Sequence, residues 1–445
     1  MGNLRVVGFS RAGIISAVRK MSNNTGFPRA AAVTVVALAA TAFGCTRSIP
    51  RNEITAFFAK DHIRGAAPEP RYYRMTFIPL PVIDVDPNEG FSGGALPVFL
   101  FRETDRITSI VVPSIYTNET EGVTFDLHLR KFPNLNAARE ADIKISTEGS
   151  QNFDFEYRDE KFLEERAFLR LRGRYQVSLT DRFYGVGCGS AEGNQSNFTR
   201  RQGFGSATFG LKLAHHSRVS ITERYRHDDL GPGGVEGVPD LIEKFPSLAP
   251  DTEAREFLAH RMDYVYDSRN SPDIPTRGTY VNAGVEMALR GVGSSRNYTR
   301  WVGEAIRHIP TVPDRAFTVL RLAGASVNGA DLPFYMLSSL GGLRTLRGYG
   351  EGRFTDENAV VANIEERLVF RKLRFFDVES HVQFAAFVDI GGVFADRESI
   401  DDIRFHTVVG GGLRFVVPES HLVATIDIGV GREGPAGFIA LGYPF

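Results

Sequence analysis

The sequence predicts an all-β protein, a sixteen-stranded antiparallel transmembrane β-barrel. Three observations favour this fold: an export signal near the N-terminus, a long succession of segments that alternate apolar and polar residues, and an aromatic C-terminal residue. The 445-residue chain has a formal net charge of −1, which argues against nucleic-acid binding because that function usually requires a basic surface. Its two cysteines argue against a disulfide framework.

The N-terminal element is predicted to be a signal peptide that covers residues 1–44. Three cationic residues between positions 19 and 29 precede an apolar, small-residue run at 30–44. That run is too short for a spanning helix, which needs about 20 apolar residues, and it is typical of a secretory signal. Ala42 and Gly44 place small residues where cleavage before Cys45 requires them.

Two alternatives stay open at this end of the chain. Met1 and Met21 both precede an adequate signal, and Cys45 could carry a lipid, although Ala42 and Phe43 match the lipoprotein pattern poorly. Residues 45–74 are then expected to form a short periplasmic segment, since they fall below the roughly 40 residues that an unaided domain requires. Residues 75–445 are expected to form the barrel.

The barrel is predicted from period-two alternation over long segments. In 421–431 the even-numbered positions from 422 to 430 are apolar, whereas Thr425, Asp427 and Gly429 lie between them. Such alternation indicates strands with one apolar face. A soluble sandwich is the alternative, but its strands run about 5–6 residues, and segments such as 381–394 reach the 9–11 or so that a membrane requires. Counting from Ala95 yields fifteen to seventeen candidates, and bacterial barrels use even numbers.

The C-terminal element alternates in the same way. Ile439, Leu441, Tyr443 and Phe445 fall on one face of a final strand. An aromatic terminus after alternating apolar residues resembles the C-terminal β-signal by which outer-membrane barrels are recognised for assembly. Pro444 lacks a ladder donor, so the final strand pairing is predicted to be weak at that point.

A cluster of glycines and arginines interrupts the strand pattern at Leu340–Phe354, which reads LGGLRTLRGYGEGRF. Clustered glycines indicate a tightly turned or closely approached backbone. A phosphate-binding loop is excluded, because no Gly-Lys-Ser/Thr follows and no helix begins there. A solvated surface turn is the remaining alternative from composition alone.

This stretch and the two segments that follow it closely resemble the BamA/TamA superfamily of outer-membrane assembly and translocation barrels, also called the bacterial surface antigen family. The resemblance covers residues 75–445, and upstream it includes a turn at 267–278 and a strand end at 183–188. The matching positions are Arg347, Gly348 and Tyr349 in the loop, Asn363, Glu365 and Arg367 in the next segment, and Phe387, Asp389 and Gly391 in the one after that.

The resemblance implies that this extracellular loop folds back into the barrel lumen, with five strands after it. Asn363, Glu365 and Arg367 share one parity, so they would face the lumen together, and Glu366 would face lipid. We therefore expect Arg347 to approach Asp389 from inside and to hold the loop as a latch. An ordinary polar lumen residue is the plainer alternative.

The resemblance also implies a function without catalysis or cofactors: insertion or translocation of proteins, or of lipids, at the bacterial cell outer membrane. The expected contacts are outer-membrane lipid and lipopolysaccharide, with an unidentified client. Because no POTRA domain is recognisable before the barrel, a separate periplasmic chaperone-like partner is expected. A passive pore or a small-solute or lipid export channel is the alternative.

The Gly-x-Ser-x-Gly match at Gly90–Gly94 precedes strand residues rather than the helix of a nucleophile elbow, so it does not indicate a catalytic serine.

Overall fold

The computed structural model describes residues 73–86, 88–103, 106–134, 137–146, 149–375, 378–395, 403–418 and 421–445. The predicted signal peptide at 1–44, Cys45 and nearly all of segment 45–74 lie outside these residues.

Eighteen strands form one antiparallel sheet in which each strand pairs with the next along the chain. Two further short strands, β14 and β15, pair with each other inside one long loop, and Thr355 of β15 also forms an isolated bridge with Val186. The strands before that loop are β1 Tyr73–Asp86, β2 Gly90–Glu103, β3 Arg106–Asn118, β4 Gly122–Asn134, β5 Ala137–Ser146, β6 Gln151–Phe162, β7 Ala167–Phe183, β8 Ser196–Ala214, β9 Ser217–Pro232, β10 Arg255–Asp267, β11 Gly278–Ala288, β12 Tyr298–Val312 and β13 Ala316–Asn328. The loop hairpin and the strands after it are β14 Ser338–Leu340, β15 Phe354–Asp356, β16 Asn358–Phe375, β17 Val378–Phe394, β18 His406–Val417, β19 Leu422–Gly431 and β20 Gly434–Leu441.

The antiparallel all-β architecture is confirmed, and five sheet strands follow the long loop as expected, but the predicted total of sixteen strands is wrong. The count began at Ala95 and so left out β1, which carries Pro79 and Pro81 and has apolar residues at both parities. The even-number rule for bacterial barrels then favoured sixteen over the seventeen strands that remain. Proline removes ladder donors and is tolerated on edge strands. β1 is such a strand, because among the described residues it pairs with β2 alone.

The outer face of the sheet is apolar and most of the inner face is polar, as the alternation predicted. On β16, Phe370 is 74% exposed on the outer face, whereas Arg367 on the inner face is fully buried. Ile364 and Leu368 are also exposed. Glu366 does lie on the outer face, where its carboxylate accepts hydrogen bonds from two threonine hydroxyls of neighbouring strands, at 2.7 and 2.5 Å.

The sheet curls round until its two ends meet. β1 and β20 lie side by side, with Cα atoms within 8 Å of each other, and no hydrogen-bonded ladder joins them in the described part of the chain. His421, between β18 and β19, contacts Asp273, between β10 and β11, at 3.2 Å. We call the boundary between β1 and β20 the seam.

The two rims of the barrel differ in their connections. The first strand begins at Tyr73 and the last strand ends at Leu441 at the same rim, the terminal end; the long loop between β13 and β16 lies at the other rim, the loop end. Short helical segments occur in the loops, at Glu192–Asn194, Leu241–Lys244, Pro246–Thr252, Arg290–Val292 and Phe334–Met336. Within the described residues, no helix has the length and apolar character that crossing a membrane requires.

The interior beside the seam departs from the polar pattern. Several inward side chains of β1, β2 and β3 are aliphatic and almost completely buried, and they pack against Val417 at the end of β18 and Leu422 at the start of β19. We call this group the seam cluster; its buried members are Ile78, Val98, Leu100, Ile107, Ile110, Val112 and Val417. Beside the seam, the inner wall therefore carries an aliphatic patch in place of charged side chains.

Candidate functional site

The segment Leu340–Phe354 leaves the β14–β15 hairpin and enters the lumen. Gly341 and Gly342 have φ angles of +122° and +81°, a backbone conformation that favours glycine. The amide of Gly342 donates to the carbonyl of Tyr349 at 2.8 Å, which closes the segment into a narrow loop. Glycine is required here by the reversal of the chain.

The tip of this loop lies directly on the inner wall. A Cβ atom at Gly348 would lie 2.6 Å from the backbone nitrogen of Gly431 and 3.0 Å from the side chain of Val408. Tyr349 is almost fully buried, and its hydroxyl accepts a hydrogen bond from the amide of Arg432 at 3.1 Å. The tip therefore contacts β18, β19 and the turn that follows β19.

Arg347 enters the wall between these contacts and is fully buried. Its Nε and Nη2 donate to the two carboxylate oxygens of Asp389 at 2.9 and 2.7 Å, and its backbone amide donates to Asp389 at 3.1 Å. Its Nη1 donates to Glu365 at 2.5 Å and to Asp427 at 3.1 Å. A single side chain thus joins the loop to strands β16, β17 and β19 through charge-assisted hydrogen bonds.

Two further arginines complete a six-residue charge cluster. Arg367 donates to Glu365 at 2.6 Å, and Arg414 donates to Glu365 and Asp427 at 3.1 and 3.0 Å. All six side chains are fully buried. The charge cluster consists of Arg347, Arg367, Arg414, Glu365, Asp389 and Asp427, so its formal charges cancel.

The environment of Arg347 favours its charged form. Burial disfavours the cation, but the hydrogen bonds to Asp389 and the charges of the three carboxylates outweigh this effect and raise the pKa of Arg347 above its ordinary value. The guanidinium carbon also lies 3.5 Å from the ring centroid of Phe387, a cation–π contact.

Neighbouring polar groups extend the cluster toward the loop. The Asn363 amide donates to Asp389 and to the backbone carbonyl of Thr345, both at 2.8 Å. Arg321 donates to the side-chain oxygen of Asn363 and to the carbonyl of Arg344, again at 2.8 Å. These bonds bring the predicted loop residue Arg347 together with the predicted wall residues Asn363, Glu365, Arg367 and Asp389.

Gly391, which the resemblance also implicated, has a packing role. A Cβ atom there would lie 2.9 Å from the carbonyl of Val360 and 3.0 Å from the side chain of Leu340. Its position lets the wall approach the base of the inserted loop closely.

The prediction that Ile439, Leu441, Tyr443 and Phe445 share one face of a final strand is wrong. Leu441 is 37% exposed on the outer face, but β20 ends there, and Gly442 has a φ of +101° that turns the chain inward. Tyr443 then donates to Gln383 at 3.0 Å and stacks 3.9 Å from the guanidinium carbon of Arg367. The role of these residues as an assembly signal stays a prediction.

Phe445 also lies in the lumen, below the charge cluster. Its ring packs with an inward-facing apolar group whose buried members are Ile306, Phe317 and Val319. The guanidinium carbons of Arg321 and Arg347 each lie 5.3 Å from its centroid. The C-terminal segment thus forms a second inserted element beside the loop.

Sequence reasoning did not assign Arg414 and Asp427, although both occupy the polar positions of alternating segments, and that parity was the available signal. It also missed Arg353, which donates to Glu433 at 2.6 and 2.8 Å and to Ser190. Arg353 is buried and lies 4.3 Å from the ring of Tyr184. It provides a second attachment of the same loop, nearer the loop end.

The fold and the buried charge cluster define an outer-membrane β-barrel with a loop inserted into its lumen. Residues 136–430 match the Omp85 superfamily domain, so the chain belongs to the Omp85 superfamily. Like its BamA and CdiB neighbours in that superfamily, it is a protein of the bacterial outer membrane.

Two solved structures show the same fold at low sequence identity. BamA from Haemophilus ducreyi lacking POTRA domains 1-3 has a TM-score of 0.53 and 16% identity, with 82% of this chain and 75% of that chain covered. CdiB from Escherichia coli has a TM-score of 0.53 and 12% identity, with 82% of this chain and 66% of that chain covered. No curated protein matches the sequence significantly.

Proposed function

We propose that this protein inserts or translocates proteins, or lipids, at the outer membrane by opening the seam between β1 and β20. It acts without catalytic chemistry, and the inserted loop is a latch that holds the strands on the β20 side of the seam rigid. The observation that carries this proposal is the seam itself: two edge strands lie side by side with no ladder between them in the described residues.

An unladdered seam suits strand exchange. Edge strands present unpaired N–H and C=O groups, which readily pair with a strand from another chain. β20 spans eight residues and β1 fourteen, so β1 offers an edge longer than its neighbour could cover. Pro79 and Pro81 remove two donors from that edge, which lowers the cost of separating the strands.

The charge cluster supports the complementary role of the latch. Arg347 joins the loop to β16, β17 and β19, which are all close in sequence to β20 and lie on one side of the seam. Separation of β1 from β20 leaves every one of these contacts intact. The latch would therefore hold the β20 side of the seam in place while the β1 side moves.

A passive pore, or an export channel for a small solute or a lipid, is the alternative function. Cavities of about 790 and 350 Å³ lie in the interior, and Arg321, Arg344 and Phe445 line the larger one. The inserted loop and the C-terminal segment occupy lumen space that a wide open pore would need. This occupancy supports the insertion proposal over the pore.

The test is to lock the seam with a disulfide. Cysteines are introduced in pairs at positions 76–78 of β1 and 438–440 of β20, in a Cys188→Ser background, and pairs that form the intended disulfide are kept. Ile426 and Ile439 are register partners across the existing β19–β20 ladder, and cysteines there provide the matched control. Each protein is reconstituted into liposomes and mixed with a urea-unfolded outer-membrane barrel, whose folding is followed by heat-modifiable mobility.

We expect the locked seam to reduce client folding to the rate in empty liposomes, reductant to restore it, and the control pair to have no effect. Full activity with a locked seam would contradict the proposal. Ion or solute flux that is unchanged by locking, without acceleration of folding, would favour the pore. Proteins that copurify from outer membranes would show whether a separate periplasmic chaperone-like partner delivers the client, and bound lipopolysaccharide would be detected in the same preparation.

A further inference from the structure

The larger cavity lies at the terminal end of the barrel and has two chemically different walls. The turns around Ser217, Pro272 and His421 form its rim, and the C-terminal residues Leu441–Phe445 form part of its lining. Its volume of about 790 Å³ is within the usual range for small-molecule sites.

One wall of the cavity is cationic. Eight lysine and arginine side chains line it against four carboxylate side chains. The carboxylates are already engaged: Asp267 pairs with Arg269 at 2.8 Å, Glu304 with Arg321 at 2.6 Å. The cationic lining residues are Arg130, Arg158, Arg170, Lys212, Arg218, Arg269, Arg321 and Arg344.

Two of these cations have no carboxylate partner within 4.0 Å in the described part of the chain. The Lys212 ammonium donates to the backbone carbonyl of Glu160 at 2.8 Å, and the Arg344 side chain is exposed toward the cavity. Arg344 belongs to the inserted loop and Lys212 to the end of β8, so the two cations reach the cavity from different elements. A negatively charged group in this space would gain charge-assisted hydrogen bonds.

The other wall is apolar and continues into the seam cluster. Ile110 and Leu422 both line the cavity. Ile110 belongs to the seam cluster and Leu422 packs against it, and other members of that cluster lie on β1 and β2 beside the seam. An inorganic anion has no apolar part that could pack against this wall. A ligand that uses both walls must combine a negative head with an apolar tail.

We propose that this cavity binds one anionic phospholipid, with its phosphate toward the cationic side chains of Lys212 and Arg344 and its acyl chains against the cavity wall at Ile110 and Leu422. The site gives the barrel a defined lipid ligand at its terminal end. The proposal deepens the proposed function by naming an amphiphilic ligand and rests on that function only for what the bound lipid does. Binding itself is independent of client insertion.

The test titrates detergent-solubilised full-length protein with dioctanoyl phosphatidylglycerol and counts bound lipid by native mass spectrometry. Dioctanoyl phosphatidylcholine tests the need for net negative charge, and deacylated glycerophosphoglycerol tests the need for acyl chains. Inorganic phosphate is added as a competitor, to distinguish a lipid site from a simple phosphate site. Heat-modifiable mobility shows that each variant is folded.

The Lys212→Gln/Arg344→Gln variant is expected to bind phosphatidylglycerol about tenfold more weakly, because two charge-assisted contacts are lost. The matched control is Lys244→Gln/Arg201→Gln, which removes one exposed lysine and one exposed arginine outside the cavity. Wild-type binding should also weaken with salt, a measurement that stands if the double variant fails to fold. Phosphatidylcholine and the deacylated headgroup should bind much more weakly than phosphatidylglycerol.

Three results would overturn the proposal: equal binding of phosphatidylglycerol and phosphatidylcholine, equal affinity of the cavity and control variants, or displacement of the lipid by inorganic phosphate at similar concentration. The assay contains no client protein. Loss of lipid binding and loss of client insertion are therefore separate outcomes.

Discussion

Two regions of the barrel interior, the charge cluster and the seam cluster, are stabilised by different kinds of interaction. Opposite charges meet in fully buried, specific hydrogen bonds around Arg347, whereas the seam cluster around Leu100 uses aliphatic packing alone. Charge-assisted hydrogen bonds are directional, so those of Arg347 fix the position of the inserted loop. Aliphatic packing has no such direction, so it tolerates sliding and partial separation.

This difference divides the barrel into a rigid and a yielding side. The charge cluster joins the loop to three strands by hydrogen bonds that water cannot reach. Beside the seam, β1 has a ladder on one edge only and depends for its other contacts on the seam cluster. Changes on one side should therefore leave the other nearly unaffected, and the following predictions test this separation.

The largest effect is expected from Arg347→Ala. The variant leaves three buried carboxylates with two arginines, and an unpaired buried charge costs about 3–5 kcal/mol. We expect the loop to become sensitive to proteolysis and client insertion to be impaired, while the eighteen-stranded barrel keeps its heat-modifiable mobility. Arg290→Ala, which removes an exposed arginine from the loop end, is the control.

Asp389→Ala should have a similar effect with the opposite charge imbalance. The double variant Arg347→Ala/Asp389→Ala restores equal numbers of buried charges, so it should be no worse than either single variant. Additive losses in the double-mutant cycle would show that the two residues act independently and would contradict the latch. Faster amide exchange in β1 in any of these variants would contradict the separation of the two sides.

The same difference explains how much of the molecule could be predicted from its sequence. β19 was predictable because its inner face meets the polar lumen and its outer face meets lipid. Buried polar residues such as Asp427 therefore alternate with exposed apolar residues such as Ile428. β1 was missed because its inward residue Ile78 and its outward residue Phe77 are both apolar, which removes the period-two signal. Period-two alternation of apolar and polar residues occurs only where the two faces of a strand meet environments of different polarity. It therefore cannot reveal a strand whose two faces are both apolar.

The candidate site shows the same limit. Parity and the family resemblance could place Arg347 near Asp389, and parity alone could have added Arg414 to the wall. The inward turn of the C-terminal segment could not be predicted, because it depends on the positive φ of Gly442 and on a bond from its amide to the carbonyl of Val423 at 2.7 Å. Strand parity carries no information beyond the residue at which a strand ends.

A smaller effect, confined to the seam, is expected from Leu100→Ala. Leu100 is fully buried in the seam cluster, and truncation of a buried leucine costs about 2–5 kcal/mol, toward the lower value where neighbours can relax. Hydrogen exchange should show faster opening of β1, with unchanged protection of the loop around Arg347. Phe101→Ala, which alters the adjacent outward-facing residue, should change this exchange much less; a loosened loop in Leu100→Ala would show that the two sides are coupled.

The smallest effect is expected from Phe445→Leu, which keeps an apolar side chain in the lumen and removes the aromatic face. The ring of Phe445 lies 5.3 Å from the guanidinium carbons of both Arg321 and Arg347, and cation–π contacts contribute about 0.5–1 kcal/mol each where they are partly exposed. Urea unfolding in lipid vesicles should therefore show a loss in the free energy of unfolding of about 1 kcal/mol. Phe370→Leu is the matched control, because that ring faces lipid, 74% exposed, and should cost less. If both variants lose the same stability, the C-terminal ring contributes only apolar area and the rigid side of the barrel ends at the charge cluster.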